Sequence, residues 1–375
     1  DKLTKEDLEA KLPGESKAVC IAGELPEEVE LSIQAAVLSP GVPTDIPLVN
    51  RMRDRGVQIL GEIELGFLAE QGRVIAITGT NGKTTTTLTG EIMKAHFGEE
   101  KTFVVGNIGN PYTLEVTKTS KDSVTVGEIS SFQLETIHTF HPVVSAILNI
   151  TPDHLNRHHT MENYIAAKEA ITMNQTKDDY CILNYENAYT REFGEKRCPA
   201  TVFFSSARRL DNGLFYEGED IYLARNGEAQ RLLNVKTDMN LVGVCNIENV
   251  MAAIGIATSA GVPMENILST IKRFKAVEHR IEYVATKNDV WYYNDSKGTN
   301  PEASVKAIEA MVRPTILIGG GYDKGSEFDM YVKAFKGKVK KLVLIGQTAN
   351  KIAQTCDKYG FKDYVFANDL KEVVD

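Results

Sequence analysis

What is scarce in this sequence removes several classes of protein. The 375 residues hold five cysteines, Cys20, Cys181, Cys198, Cys245 and Cys356, and no two form a C-x-x-C pair. An odd count without paired spacing argues against a disulfide framework or a zinc site, and for reduced thiols in a cytoplasmic protein. No apolar run approaches the ~18 residues that a membrane span needs, and no secretory leader is visible. Positive charge is in deficit: 42 Lys and Arg stand against 51 Asp and Glu, a net charge of −9. That sign argues against a broad nucleic-acid-binding face, so an anionic ligand needs a local site built for it. Internal repeats and low-complexity tracts are missing too. The first residue is Asp1, not Met, and residues 368–375 read as a helix cut short. The chain is therefore expected to be an interior piece of a longer one.

What is present is ordinary globular material. The chain is 42% hydrophobic and 25% charged, enough for real cores, and its length suggests two or three domains. Short apolar runs read as strands at 35–39, 57–60, 74–78, 102–105, 123–129, 143–150, 289–294, 315–318, 341–345 and 364–366. Helical patterns fall between many of them, at 84–97, 161–173, 246–260 and 301–311. Apolar strands alternating with helices predict an α/β fold with mainly parallel sheets covered on both faces. The stretch 198–235 is different. Its short β signals and turn residues (Asp211-Asn212-Gly213, Asn226-Gly227) predict a hairpin insert. Boundaries are expected near 69–73 and 274–278, dividing the chain into 1–69, 70–276 and 277–375.

The strongest chemical signal follows the run Val74-Ile75-Ala76-Ile77-Thr78. Gly79-Thr80-Asn81-Gly82-Lys83-Thr84-Thr85 comes next, and then a helical pattern. Strand, glycine loop and helix are the context in which such a loop cradles phosphates. The glycines let backbone N–H groups converge on oxygens, and the helix N-terminus adds partial positive charge. Lys83 supplies a full charge to the outer phosphates of ATP, and the Thr84 hydroxyl suits magnesium. The match to G-x-x-x-x-G-K-[ST] is imperfect, because Ile77 holds the first glycine position. The alternative is a tight strand-to-helix turn with an exposed lysine.

Three further residues bear on that loop. Glu128 ends the apolar run 124–128, and a carboxylate at the C-terminal end of a parallel strand faces the crevice where ligands bind. It reads as a metal ligand or as a solvated strand-end charge. His154 lies just past another strand, in Asn149-Ile150-Thr151-Pro152-Asp153-His154; it reads as functional or as structural, and imidazole also admits manganese. Lys168, in Tyr164-Ile165-Ala166-Ala167-Lys168, reads on its own as a solvated helix lysine.

Five segments together resemble a known family. They are Gly79-Thr80-Asn81-Gly82-Lys83-Thr84-Thr85, Glu128-Ile129-Ser130-Ser131-Phe132-Gln133-Leu134-Glu135, Asn149-Ile150-Thr151-Pro152-Asp153-His154-Leu155, Glu278-His279-Arg280, and Asn294-Asp295-Ser296-Lys297-Gly298-Thr299-Asn300-Pro301. The chain resembles the Mur ligases of bacterial cell-wall synthesis over essentially its whole length. The Ser-Ser-Phe-Gln-Leu-Glu and Asp-Ser-Lys-Gly-Thr-Asn runs are similar to those of the members that add D-glutamate to UDP-N-acetylmuramoyl-L-alanine. The resemblance implies a partial Rossmann-like nucleotide-sugar domain, a central P-loop ATPase domain and a Rossmann-like C-terminal domain. It also implies amide formation through an acyl phosphate, in a monomer without a membrane span.

Position by position, the resemblance implies that Gly79, Thr80, Asn81, Gly82, Lys83, Thr84 and Thr85 hold the ATP phosphates. Thr84 and Glu128 would hold a first magnesium, and His154 and a carbamylated Lys168 a second. Asn107, in Gly106-Asn107-Ile108-Gly109, would face the substrate. Asn246 and Asn249 would contact adenine, and Arg280, Asp295 and Lys297 would close over the nucleotide. Thr299 and Lys324 would face D-glutamate. Against the family pattern, a first glycine-rich strand-turn and a C-terminal segment fall outside the sequence.

Three other readings compete. A sibling ligase, including a folylpolyglutamate synthase, is opposed by the run 128–135. A nucleotide switch or motor is opposed by the lack of an Asn-Lys-x-Asp motif and by the third α/β region. The last is an inert, nucleotide-binding remnant.

Overall fold

The computed structural model describes residues 3–197, 200–275, 279, 281–323 and 325–374, with the side chains of all of these except Lys83, Arg197 and Val374. Two short parallel strands come first, β1 (Ala35–Leu38) and β2 (Gln58–Gly61), with the helix Pro47–Asp54 between them. Their small core is built on Val49, Met52, Val57 and Ile59.

Nine strands then share one sheet. They are β3 (Arg73–Thr78), β4 (Thr102–Gly106), β5 (Val124–Glu128), β6 (Val144–Ile147), β7 (Tyr180–Asn184), β8 (Thr201–Ser205), β9 (Gly213–Glu217), β10 (Asp220–Arg225) and β11 (Glu228–Asn234). Their order is β11-β10-β9-β8-β7-β6-β3-β5-β4. Neighbours from β4 across to β9 are parallel, and β9, β10 and β11 fold back antiparallel.

Successive side chains of a strand point to opposite faces, and β3 shows why its whole run is apolar. Val74 and Ala76 enter one buried cluster with Tyr112, Phe140 and Tyr164. Ile75 and Ile77 enter the other with Leu88, Ile92, Val250 and Ile254. The helices Lys83–Phe97, Val244–Ser259 and Met264–Arg273 pack together over that second face.

The hairpin expected within 198–235 is present, as β9 with β10 and β10 with β11, but it extends the main sheet and is not a separate insert; Cys198 itself lies outside the described residues. β8 pairs in parallel with β7, and β9 to β11 extend the same sheet. Phe204, Leu214, Ile221 and Leu233 join the main core. Turn residues marked where the chain reverses but not which edge it joins. The helix expected over 161–173 ends at Glu169 and tightens into a 3-10 turn at Ala170–Thr172.

The C-terminal part holds an antiparallel hairpin, β12 (Glu282–Lys287) with β13 (Val290–Asn294), and a parallel sheet of β14 (Thr315–Gly320), β15 (Val339–Ile345) and β16 (Tyr364–Phe366). β13, expected at 289–294, thus pairs with a neighbour whose exposed residues gave no strand signal. The helix Pro301–Ala310 approaches the N-terminus of Val244–Ser259 so closely that a Cβ at Gly243 (φ 89°) would lie 2.5 Å from the Ala310 Cβ. No described helix is long and apolar enough to cross a membrane.

One buried carboxylate ties the helix Glu62–Ala69 to the loop before β6. Glu64 is 1% exposed. Its Oε2 accepts from the backbone N–H of His138 (2.8 Å) and Phe140 (3.1 Å), and its Oε1 from the N–H and hydroxyl of Thr139 (2.7 and 2.5 Å). Burial opposes ionisation, but these donors outweigh it and the pKa is lowered. A carboxylate with a lowered folded pKa stabilises the protein above its unfolded pKa, and that stability is lost as pH falls through the folded value. Glu64→Gln turns an amide N–H against these donors. It should cost ~2 kcal/mol near pH 7 and flatten the fall in stability below about pH 4.5, as measured by denaturant titration across pH.

Candidate active site

β6, β3 and β5 are adjacent and parallel, so the segments leaving their C-terminal ends stand side by side. Ile77 lies opposite Glu128, and Thr78 opposite Ile147. The loop after β3 leans on the segment after β6. Thr80 N–H donates to the Asn149 carbonyl (3.0 Å), and the Thr80 hydroxyl to the Thr151 carbonyl (3.2 Å). The helix Lys83–Phe97 then starts at Gly82, leaving its first N–H groups for a ligand.

Glu128 sits behind that helix start. A Cβ placed on Gly82 would be 3.9 Å from the Glu128 carboxyl carbon. Asn107 fixes one carboxylate oxygen: its Nδ2 donates to Glu128 Oε1 (2.8 Å), and its N–H to the Glu128 carbonyl (2.8 Å). The turn carrying Asn107 fits only because residue 106 is glycine. Gly106 has φ 99°, and a Cβ there would be 2.4 Å from the Glu128 carbonyl oxygen. The other oxygen, Oε2, is buried and has no hydrogen-bond partner.

Lys168 is 2% exposed, not solvated. Its Nζ donates to the Gly79 carbonyl (2.9 Å) and lies 4.9 Å from the centre of the Tyr164 ring. Desolvation lowers its pKa to about 8, against the opposing pull of the Asp153 and Glu128 carboxylates. His154 has left-handed backbone (φ 52°) at the start of Leu155–His158. Its half-exposed ring meets Phe132 edge to face at 4.9 Å, with Nε2 3.7 Å from Asp153 Oδ2.

An open cleft lies beside the loop, walled by Asn81, Gly82, Thr84, Asn246, Asn249 and Asp295 among others. The asparagines form a chain: Thr85 Oγ1 donates to Asn249 Oδ1 (3.0 Å), and Asn249 Nδ2 to Asn246 Oδ1 (3.1 Å). Asp295 reaches the wall from the C-terminal part, its Oδ1 accepting from Ile281 N–H (3.0 Å). Lys297 and Thr299 stand exposed on the following turn, outside the cleft wall. The Lys83 side chain, Glu278, Arg280 and Lys324 lie outside the described residues.

Two contributors escaped the sequence reading. The Tyr164 hydroxyl is 3.1 Å from Thr80 Oγ1. Its spacing of four from Lys168, which puts both on one helix face, was an available signal. Asn149, whose side chain bonds residue 81, opens the segment 149–155, but nothing in that segment signals its role.

Among the described residues no three His, Cys, Asp or Glu side chains converge as a metal cage. The donor set fits magnesium nonetheless. That ion keeps several waters and takes one or two protein carboxylates beside substrate phosphates, and Glu128 offers an unpartnered buried oxygen at a phosphate-loop helix.

Residues 77–257 match the Mur ligase middle domain, and 279–375 the Mur ligase glutamate ligase domain. The UDP-N-acetylmuramoylalanine–D-glutamate ligase of Lachnospira eligens is 59% identical over 376 residues, covering 100% of this chain and 83% of the relative. That of Lachnoclostridium phytofermentans is 53% identical, covering 100% and 82%. The chain belongs to the Mur ligase family. Solved structures share the fold: MurF from Acinetobacter baumannii has a TM-score of 0.64 at 18% identity, covering 84% of this chain and 72% of its own. For MurC from Thermotoga maritima the values are 0.60, 19%, 91% and 78%.

The lowered Lys168 pKa sets a testable cost. Between about 8 and the usual lysine value the unfolded chain binds more protons than the folded one, so this group's penalty is full at neutral pH and shrinks as pH rises. Lys168→Met should raise the stability of the ligand-free protein at pH 7 by up to ~3 kcal/mol. The gain should fade toward pH 10.5, as followed by denaturant unfolding.

Proposed function

We propose that this chain is the catalytic body of an ATP-dependent ligase that adds D-glutamate to UDP-N-acetylmuramoyl-L-alanine in peptidoglycan precursor synthesis. The observation that carries this reading is the whole-length identity of 59% to a relative of that name. We also take the divisions 1–69, 70–276 and 277–375 as its working units, acting as a cytoplasmic monomer.

In this reading the ATP γ-phosphoryl passes to the terminal L-alanine carboxylate, because a carboxylate is a poor electrophile until it carries a leaving group. The amine of D-glutamate then displaces phosphate from the acyl phosphate. The loop amides from Gly82 onward and Lys83 hold the phosphates, and Asn246 and Asn249 orient the adenine. Glu128 and Thr84 hold one magnesium, and His154 with carbamylated Lys168 a second; manganese is an admissible substitute. Bound there, magnesium offsets charge on the transferring phosphoryl group.

Asn107 keeps the Glu128 carboxylate turned toward the loop. Arg280, Asp295 and Lys297 close over the nucleotide, and Thr299 and Lys324 face D-glutamate. Closure excludes the water that would hydrolyse the acyl phosphate.

Lys168 suits carbamylation for a physical reason. CO2 reacts with the neutral amine, and a pKa of about 8 leaves about a tenth of it neutral at pH 7. The carbamate keeps one N–H, enough to preserve the bond to the Gly79 carbonyl.

Phosphate release from MgATP should require both UDP-N-acetylmuramoyl-L-alanine and D-glutamate, and Lys83→Ala should reduce it ~100-fold or more. Release that proceeds equally with other amino acids overturns the acceptor assignment. Release indifferent to both substrates points to a nucleotide switch. 13C-labelled bicarbonate should give a carbamate resonance that is missing in Lys168→Ala; its absence from the wild type overturns the modification.

A further inference from the structure

We propose that Asn149 is a positioning residue for the nucleotide, its carboxamide setting the shape of the phosphate loop. The proposal rests on the reading of ATP at that loop and adds a residue to it. The parallel ladder between β3 and β6 runs past the strand ends, through Leu148 N–H to the Thr78 carbonyl (3.0 Å) and Thr80 N–H to the Asn149 carbonyl (3.0 Å). There the two backbones part, and the Asn149 side chain continues the pairing. Its Oδ1 accepts from Asn81 N–H (2.9 Å), and its Nδ2 donates to the Asn81 carbonyl (3.2 Å).

The residue 81 backbone is thus gripped on both polar groups by one side-chain amide, as it would be by a neighbouring strand. At neutral pH a carboxamide offers a donor and an acceptor side by side in that form, whereas a carboxylate has no donor and a hydroxyl is too short to span both.

Two consequences follow for a ligand. Asn81 N–H is taken, so the amides that face a phosphate begin at Gly82, at the helix N-terminus. The same grip holds the Asn81 side chain, whose buried Nδ2 has no hydrogen-bond partner, in the wall of the cleft that Asn149 also lines.

The test is calorimetric titration of ADP and of MgATP into the full chain without acceptor substrates. The chains compared are wild type, Asn149→Ala and Asn149→Asp, each with its thermal melt. Asn149→Ala should bind about tenfold more weakly while melting close to wild type. Asn149→Asp keeps the side chain's shape but sets a carboxylate oxygen against the Asn81 carbonyl, so it should bind worse than Ala at pH 8. A protonated carboxyl again offers a donor beside an acceptor. Relative to wild type, Asn149→Asp should therefore recover affinity between pH 8 and 5, a response that a general loss of packing does not give.

Equal nucleotide affinity in wild type and both variants overturns the proposal, as does an Asp variant whose deficit is the same at every pH. Wild-type binding of neither nucleotide removes the ATP reading and this inference with it. Wild-type binding without ligase turnover removes only the ligase reading and leaves the role of Asn149 to the variants.

Discussion

The site depends on one constraint: three adjacent parallel strands end together at the same edge of the sheet. Hydrogen bonding spaces neighbouring strands by about 4.8 Å. What leaves β3, β5 and β6 is therefore held within a few ångströms whatever its sequence separation. The glycine loop, Glu128 and Asn149 reach one another in this way, although the last lies 68 residues beyond Asn81. The apolar runs that bury both faces of the sheet are what keep the edge in place.

Electrostatics at that edge runs against stability. Glu128 leaves a buried oxygen unsatisfied, and Lys168 is held in a pocket that disfavours its charge. Neither arrangement is what a fold selects for its own sake, since an unpaired buried polar atom costs about 1–3 kcal/mol. The first becomes sensible once a cation meets that oxygen, and the second in the proposed carbamylation of Lys168, which needs the neutral amine. Tyr164 illustrates the supporting role. Burial pushes its pKa up to about 12, so it remains a neutral hydroxyl beside Thr80 and a ring beside the Lys168 amine.

Much of this was legible in the sequence, for identifiable reasons. β3, β5 and β6 announced themselves as apolar runs because they are buried on both faces, and the loop after β3 has a chemistry that glycine, lysine and threonine signal together. Asn81, Gly82, Thr84, Asn246, Asn249 and Asp295, named from sequence, meet around one cleft. Asn149 opens one of the recognised segments, but its role was not legible there. A side-chain amide imitating a backbone strand has no spacing rule, and its partner is fixed only by which strands become neighbours. β12 was missed because both of its faces are largely exposed and give no alternation. The hairpins within 198–235 were legible from their turns, but not their joining the main sheet, because turn signals are local whereas joining at β8 depends on burying Phe204 and Leu214 in a core assembled elsewhere.

The close approach at Gly243 has a consequence for mutational tolerance. Position 243 carries no titratable group, yet any side chain there meets Ala310 across the contact between the helices Val244–Ser259 and Pro301–Ala310. A substitution would act as a wedge between the part that carries Asn246 and Asn249 and the part that carries Asp295. In a mutational scan such a position scores with the phosphate loop. Intolerance at 243 therefore reports the left-handed backbone there together with the close contact to Ala310, and not a chemical role.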